Sequence, residues 1–210
     1  MKTSHRLFAI ATIATFLSGG WMSAVIAAEK NSTLAAAQAL GVARLTNDGK
    51  LERPADLERW VFLGASLGMG YNPGSFNAAR PGQFQVVLME PNAYRHFREH
   101  GSYAPGSMFV LSFYDTDTQP RSLNQKGFTQ AELTNYEIHL IDPASPDGHT
   151  FYMFDAGSKT GQALPPGNGC VSCHKNHGAF QGTFAQFYPT LRPHLPRELL
   201  EKASRGSDIR

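Results

Sequence analysis

The pattern of hydrophobic and polar residues predicts four β-strands. Residues 84–89 and 108–114 are rich in β-branched and aromatic side chains, and residues 131–141 alternate between apolar and polar positions. Residues 149–154 form the fourth predicted strand, and the turn-forming residues 142–148 separate it from the third. Because a short polar turn between two such stretches is typical of a β-hairpin, the last two strands are expected to pair.

Other stretches carry apolar residues at helical spacing, and each is predicted to be a helix. These predicted helices cover residues 32–43, 54–67, 92–99, 183–187 and 195–203. Segments rich in glycine, proline and polar residues connect the elements, and the longest are residues 71–82, 115–126 and 155–169. The combination predicts an α+β protein in which helices flank an antiparallel sheet.

The first 28 residues have the composition of a secretory signal peptide. Lys2 and Arg6 give a positive start, residues 7–26 are largely apolar, and Ala27 and Ala28 suit cleavage. The alternative is an uncleaved membrane anchor, but glycines interrupt the apolar run, and a spanning helix needs about 20 mostly apolar residues. We therefore expect an exported protein that is periplasmic and free of the membrane after cleavage.

Composition and charge exclude few classes of function. The formal net charge is +2, and loss of the signal peptide leaves the chain near neutral. No run of basic residues indicates a nucleic-acid partner. The 14 phenylalanines are a large apolar inventory that suits a buried macrocycle or an ordinary β-rich core equally well. The length that remains after cleavage is typical of a single domain.

The strongest chemical signal is the pentapeptide Cys170-Val171-Ser172-Cys173-His174, which contains both cysteines of the chain. A C-x-x-C-H sequence is typical of covalent haem c attachment. Two cysteines at this spacing can bond the two vinyl groups of one haem, and the adjacent histidine can bind its iron. A redox dithiol, half of a zinc site and a disulfide are the alternatives. A zinc site would need further ligands such as His177, and the usual second pair is missing.

Further candidate residues concern the other side of the iron and proton transfer. Methionines on predicted strands that could supply a sixth iron ligand are Met89, Met108 and Met153. Histidines expected to be surface or structural residues are His96, His100, His139, His149, His177 and His194. Oxidation chemistry would also need an acid–base group. Asp155, the only carboxylate of the loop before the motif, is expected to be a turn residue instead.

The order of several short motifs resembles the cytochrome P-460 family, which includes the cytochromes c′-beta. The matching pieces are Arg53-Pro54 with Trp60, the strand from Phe84, Asn92-Ala93-Tyr94 with Phe97, residues 101–107, the C-x-x-C-H motif, and Phe184 with Phe187-Tyr188-Pro189-Thr190-Leu191. The resemblance covers residues 50–195. The haem motif alone is generic, whereas the combination and order of the pieces are more specific.

The resemblance implies a homodimeric, mainly antiparallel β protein with a five-coordinate haem iron and His174 as its proximal ligand. One branch of the family carries a lysine cross-link to the haem and oxidises hydroxylamine. The c′-beta branch binds nitric oxide or other small gases in a pocket capped by phenylalanines. No lysine occurs in residues 51–125, where the cross-linking residue is expected, so the gas-binding branch is favoured.

Three haem-facing roles follow from the resemblance. Phe84 and Phe113 occupy strand positions that resemble the phenylalanine cap, and core packing is the alternative for both. Tyr103 lies in the turn where the cross-link is expected; a tyrosine linkage to the haem or plain packing would explain it.

Three hypotheses about function remain open. The first is a cytochrome with one haem c and a five-coordinate iron that binds small gases such as nitric oxide. The second is an oxidoreductase acting on hydroxylamine or nitric oxide, and the third is a six-coordinate electron carrier; either could need a redox partner protein. The expected domain organisation is a signal peptide at 1–28, a helical extension at 29–49, the haem domain at 50–195, and a helix with a polar tail at 196–210.

Overall fold

The structure is a computed structural model, and it describes residues 43–69, 81–117 and 127–204. The predicted signal peptide and almost all of the predicted helix at residues 32–43 lie outside the described residues. Within the described ranges the chain forms one antiparallel sheet of seven strands in the order β1-β7-β6-β5-β4-β3-β2. Helices flank this sheet, which confirms the predicted α+β class. No helix in the described ranges is long and apolar enough to span a membrane.

The strands are β1 Leu51–Glu52, β2 Val61–Leu67, β3 Phe84–Met89, β4 Met108–Asp117, β5 Thr129–Ile141, β6 His149–Asp155 and β7 Thr160–Ala163. The α-helices are α1 Pro91–His100, α2 Gly169–His177 and α3 Arg197–Ser204. Single 3-10 turns occur at Leu57–Arg59, Ala185–Phe187 and Arg192–His194. The four predicted strands and the β5–β6 hairpin are therefore present, and β4 and β5 extend beyond their predicted ends.

The predicted helix at residues 54–67 is wrong. One 3-10 turn is followed by β2, which pairs with β3 from Val61 to Leu67 with a register shift at Leu63. Leu57, Trp60 and Val61 fit a helical period, whereas Val61 and Leu63 fit a two-residue period, and pairing with β3 decides between the two. Gly64 lets β2 pack closely against the C-terminal segment, because a Cβ atom at this position would lie 3.3 Å from the side chains of Tyr188 and Pro189.

Two further predictions need correction. The predicted loop at residues 155–169 contains the short strand β7, which pairs with both β1 and β6. The predicted helix at residues 183–187 is only the 3-10 turn Ala185–Phe187. Both segments are short and carry little periodicity, so packing against neighbours determines their backbone.

Alternation along the strands divides the core into two layers. Residues with even numbers on β4, β5 and β6 bury their side chains in one layer, which Ala43 and Leu51 help to cover. Its strand members are Met108, Val110, Tyr136, Ile138, Leu140, Tyr152 and Phe154. The opposite face of the sheet packs against α1 and the C-terminal segment, and its members include Val87, Met89, Phe97, Phe109 and Leu191. The C-x-x-C-H motif lies on this second side.

Candidate haem site

The C-x-x-C-H motif occupies the first two turns of α2. Asn168 caps the helix, since its Oδ1 accepts hydrogen bonds from the backbone N–H groups of Cys170 (2.8 Å) and Val171 (3.3 Å). An asparagine at this position satisfies N–H groups that have no partner within the helix. Cys170 and Cys173 are three residues apart on the helix and therefore share a face. Both thiols are free of disulfide bonds.

A cavity of about 420 Å³ adjoins this face of the helix. The sheet side of the cavity is formed by residues of β2 to β6, which include Gly64, Ser66, Gln85, Val87, Phe109, Leu111, Glu137, His139 and Phe151. The opposite side contains Cys170, Cys173, His174, His177, Thr183, Phe184, Phe187 and Tyr188. Its volume lies within the range of about 300–1,000 Å³ that is typical of cofactor sites.

His174 is held in one orientation at the cavity. Its Nδ1–H donates to the carbonyl of Gly182 at 2.7 Å. Burial is the main cause that lowers the pKa of His174, and the Gly182 carbonyl partly opposes it. A neutral histidine that donates through Nδ1 presents the lone pair of Nε2, which is the usual arrangement of a metal-bound histidine.

These observations fit a haem c group. Two free thiols and a neutral imidazole with an available Nε2 line one cavity of suitable size, and aromatic rings surround it. The ring of Phe184 lies edge-on to His174 with 4.7 Å between centroids, and Phe187 stacks on Phe184. Cys170, Cys173 and His174 would hold the group, which would supply an iron centre for ligand binding or electron transfer.

His139 and His149, both expected to be surface or structural residues, lie beside the motif. His139 is buried and lines the cavity, and its Nε2 is hydrogen bonded to His149 Nδ1 at 2.9 Å. Burial lowers the pKa of His139 well below its usual value, and the nearby His174 and His149 add to this effect. Burial likewise lowers the pKa of His149. Both rings are therefore neutral near pH 7.

Glu137 is a cavity residue that sequence reasoning missed. It lies on β5 two residues before His139, so the two side chains share the cavity face. Burial raises the pKa of the Glu137 carboxyl group. Burial and this carboxyl group also raise the pKa of the Cys170 thiol, which reflects their proximity. The signal that could have identified Glu137 is its alternation with the buried residues Tyr136 and Ile138.

Phe84 and Phe113, the two phenylalanines predicted to cap the haem, lie on opposite faces of the sheet. Phe84 pairs with Tyr114, and strand alternation puts it on the face opposite Gln85 and Val87, away from the cavity. Phe113 pairs with Gln85 and is buried on the cavity side, next to the lining but not part of it. The phenylalanines that line the cavity are Phe109, Phe151, Phe184 and Phe187. The distal role of Phe84 and Phe113 stays a prediction.

Tyr103 lies behind the cavity lining. Its hydroxyl group is 3.1 Å from Thr183 Oγ1, and its backbone N–H donates to Gln181 Oε1. The ring packs against Phe97, Phe109 and Phe180. Burial raises the pKa of its phenol group above the usual value. Thr183 separates Tyr103 from the cavity, so the described geometry is that of a packed turn aromatic.

The methionines proposed as sixth ligands are not part of the lining. Met89 and Met108 are fully buried in the two core layers, and Met153 is half exposed on β6. Met69, which follows β2, does line the cavity and is 54% exposed. Its side chain is therefore the methionine to test as an iron ligand. Asp155 is exposed at the end of β6, which suits the predicted turn role.

The remaining histidines divide into two groups. His177 is half-buried and lines the cavity, one turn after His174 on α2. His96 and His100 stack on each other on α1, and His194 lies edge-on to Phe97. These three lie outside the cavity lining, as expected for surface or structural residues.

Comparison with known proteins agrees with the geometry of the site. The profile of the Cytochrome P460 family matches residues 54–185, which is more than half of the chain and includes the C-x-x-C-H motif. A search of curated proteins finds no match. The matched region begins before the 3-10 turn Leu57–Arg59 and ends at the first residue of the 3-10 turn that follows α2, so it contains most of the cavity lining. The chain therefore belongs to the cytochrome P460 family of haem c cytochromes.

Proposed function

We propose that this protein is a periplasmic cytochrome with one haem c, whose five-coordinate iron binds a small diatomic gas such as nitric oxide. Cys170 and Cys173 attach the haem through thioether bonds, and His174 binds the iron through Nε2. The sixth position is open to the gas. The free thiols, the orientation of His174 and the cavity beside them support this assignment.

The sheet side of the cavity, which we call the sheet wall, determines which ligand the iron is expected to bind. Val87, Phe109 and Leu111 give this wall an apolar centre. Three of its four polar residues are engaged in hydrogen bonds. Ser66 Oγ donates to Gln85 Oε1 (3.0 Å), Gln85 Nε2 donates to the Met69 carbonyl (2.8 Å), and His139 Nε2 is bonded to His149 Nδ1 (2.9 Å). The fourth polar residue is Glu137. A wall with few available donors stabilises a polarised ligand such as bound dioxygen poorly. Nitric oxide and carbon monoxide depend less on such donors.

Optical and resonance Raman spectra of the purified haem protein test the proposal, in both oxidation states and with and without nitric oxide. We expect a high-spin five-coordinate ferrous spectrum that changes when nitric oxide is added. A low-spin six-coordinate spectrum in both oxidation states would overturn the proposal. In that case Met69→Leu identifies the ligand, because removal of the thioether would convert the iron to the high-spin state.

Hydroxylamine oxidation is a second candidate, and Glu137 is the observation that favours it. The reaction releases protons together with electrons, so it needs a proton acceptor at the substrate. Glu137 brings a carboxyl group to the cavity, and burial raises its pKa toward the range in which a group exchanges protons near neutral pH. The lack of lysine in residues 51–125 argues against the cross-linked haem of the P-460 branch.

Steady-state turnover with hydroxylamine and an artificial electron acceptor tests this second candidate. If the wild-type protein is active, Glu137→Gln is expected to lower the rate by about 10²–10⁴-fold, the usual contribution of a general base. Glu132→Gln is the matched control, because Glu132 lies exposed on the same strand. A wild-type protein that consumes no hydroxylamine rejects the second candidate.

Export and self-association complete the proposal. The signal-like start of the sequence supports export, and the family resemblance supports a homodimer. Intact mass measurement of the secreted protein is expected to give a chain that begins at residue 28 or 29. Sedimentation is expected to give twice the mass of that chain. Retention of residues 1–28, or a monomer at micromolar concentration, would reject the corresponding part.

A further inference from the structure

Two histidines of the β5–β6 hairpin lie next to the proposed iron ligand. His139 Nε2 and His149 Nδ1 are hydrogen bonded at 2.9 Å. The ring of His139 stacks on Phe151 with 4.3 Å between centroids, and it meets the ring of His174 edge-on at 4.8 Å. His139 is therefore fixed by the hairpin on one side and contacts the iron ligand on the other.

His149 also packs against the backbone that holds His174. The Gly182 carbonyl accepts the Nδ1–H of His174 at 2.7 Å. A Cβ atom on Gly182 would lie 2.6 Å from His149 Nε2, so glycine is needed for this close approach. Gly182 has a φ of 65°, a left-handed conformation that glycine adopts without strain. The position of the accepting carbonyl thus depends on contact with His149.

We propose that His139 and His149 form a bracket that sets the orientation of the His174 imidazole and the strength of its hydrogen bond to Gly182. His139 limits rotation of the His174 ring, and His149 limits movement of Gly182. Outer-shell partners of a metal-bound histidine fix its orientation and raise its basicity as a ligand. Axial ligation in turn sets the reduction potential and ligand affinity of haem iron. The two histidines are positioning residues for the iron.

The hydrogen bond explains why histidine occupies position 139. A phenylalanine ring there could stack on Phe151 equally well, so the stack alone does not need a histidine. A neutral imidazole has one donor and one acceptor nitrogen, so His139 can bond His149 without placing a charge beside the haem. Burial lowers the pKa of both residues, which favours this neutral pair.

The inference rests on the part of the proposed function that assigns His174 to the iron, and it does not depend on which gas binds. The test compares His149→Leu with His149→Asn in the haem protein. The asparagine amide can replace Nδ1 in the bond to His139, whereas leucine cannot. His100→Leu is the matched control, because His100 is exposed on α1 away from the cavity.

The two measurements are the ferrous iron–histidine stretching band in the resonance Raman spectrum and the midpoint reduction potential. We expect His149→Leu to lower the stretching frequency and raise the midpoint potential. The physical reason is that a weaker hydrogen bond from Nδ1 makes the imidazole a less electron-rich ligand. His149→Asn should recover most of both shifts, and His100→Leu should leave both at wild-type values.

Wild-type values of both quantities in His149→Leu would overturn the inference. If this variant does not incorporate haem, His139→Phe provides the second test, since it keeps the ring volume and the stack but removes the hydrogen bond. The same direction of change is expected, and no change would again overturn the bracket. A six-coordinate wild-type protein would contradict the gas-binding proposal alone, because the midpoint potential still reports on the bracket.

Discussion

The side chain of Asn168 caps the start of α2, the helix that contains the C-x-x-C-H motif. Asn168 Oδ1 accepts the N–H groups of Cys170 and Val171, and its Nδ2 donates to the Pro165 carbonyl at 2.7 Å. Asn168→Ala removes all three hydrogen bonds. Two N–H groups in the first turn of α2, both within the C-x-x-C-H motif, then lose their side-chain acceptor. We expect lower stability of the folded protein as a result.

The size of the effect follows from the helix. Replacement of an N-cap asparagine by alanine costs about 0.5–2 kcal/mol, and about 1 kcal/mol is typical. The helix has only nine residues, so the first turn is a large part of it. Loss of the additional bond to Pro165 favours the upper half of the range. In a domain of this size each kcal/mol lowers the melting temperature by about 2–4 °C, so a decrease of about 2–8 °C is expected.

Urea unfolding and thermal melting of the haem protein, followed by far-UV circular dichroism, measure this loss. Asn168→Asp is the matched control, since it keeps the oxygen acceptor of the cap but lacks the donor to Pro165. Most of the stability should return in this variant. If Asn168→Asp is as destabilised as Asn168→Ala, the bond to Pro165 is responsible and the reasoning about the cap is refuted. Equal stability of Asn168→Ala and the wild type would refute the argument entirely.

Two other predictions concern the packing of β7 against β6 and a charged pair between α2 and the β5–β6 turn. A Cβ atom on Gly161 would lie 2.6 Å from ring atoms of Phe154, so Gly161→Ala should lower the free energy of unfolding by about 1–3 kcal/mol. Gly157→Ala, where nothing lies within 4 Å, is the control in the same urea assay, and an equal loss there would contradict the packing argument. The hydrogen bond from Lys175 lowers the pKa of Asp147. The pair therefore stabilises the fold at pH values above the usual aspartate pKa of about 3.9. This stabilisation is lost as the pH falls through the lowered pKa of Asp147. The stability difference between wild type and Asp147→Asn should therefore be largest near pH 7 and vanish in acid, and a pH-independent difference would contradict it.

The candidate haem-attachment motif could be recognised in the sequence because it is local. The spacing of Cys170, Cys173 and His174 is contained within five residues, and no distant contact is needed to recognise it. The strands of the central sheet could also be predicted from the sequence, because β-branched and aromatic residues favour extended backbone wherever they pack. Strand β2 could not be predicted in this way, because Val61 fits both the helical spacing of Leu57 and Trp60 and the two-residue spacing of a strand, and only the partner strand β3 decides between them.

The cavity could not be predicted in the same way, because it depends on which face of each strand is turned toward the helix. Phe84 and Gln85 are adjacent in sequence, but only Gln85 lines the cavity. Glu137 was missed since no local motif contains it, and the role of His139 depends on contacts with residues 10 and 35 positions away along the chain. Composition alone identifies such residues as candidates for the surface, and only long-range pairing brings them to the site.

The core layer formed by even-numbered residues of β4, β5 and β6 determines which side chains face the cavity. Tyr136, Ile138 and Leu140 on β5 are buried in that layer, and their register against β4 is fixed by the pairs Ser112–Tyr136, Val110–Ile138 and Met108–Leu140. A slip of one residue would turn these apolar side chains toward the cavity and bury Glu137 and His139 in an apolar layer. Burial of a carboxyl group and an imidazole without partners costs several kcal/mol, so the sequence strongly disfavours the slipped register. The apolar layer that never touches the haem cavity is thus what directs its polar residues into it.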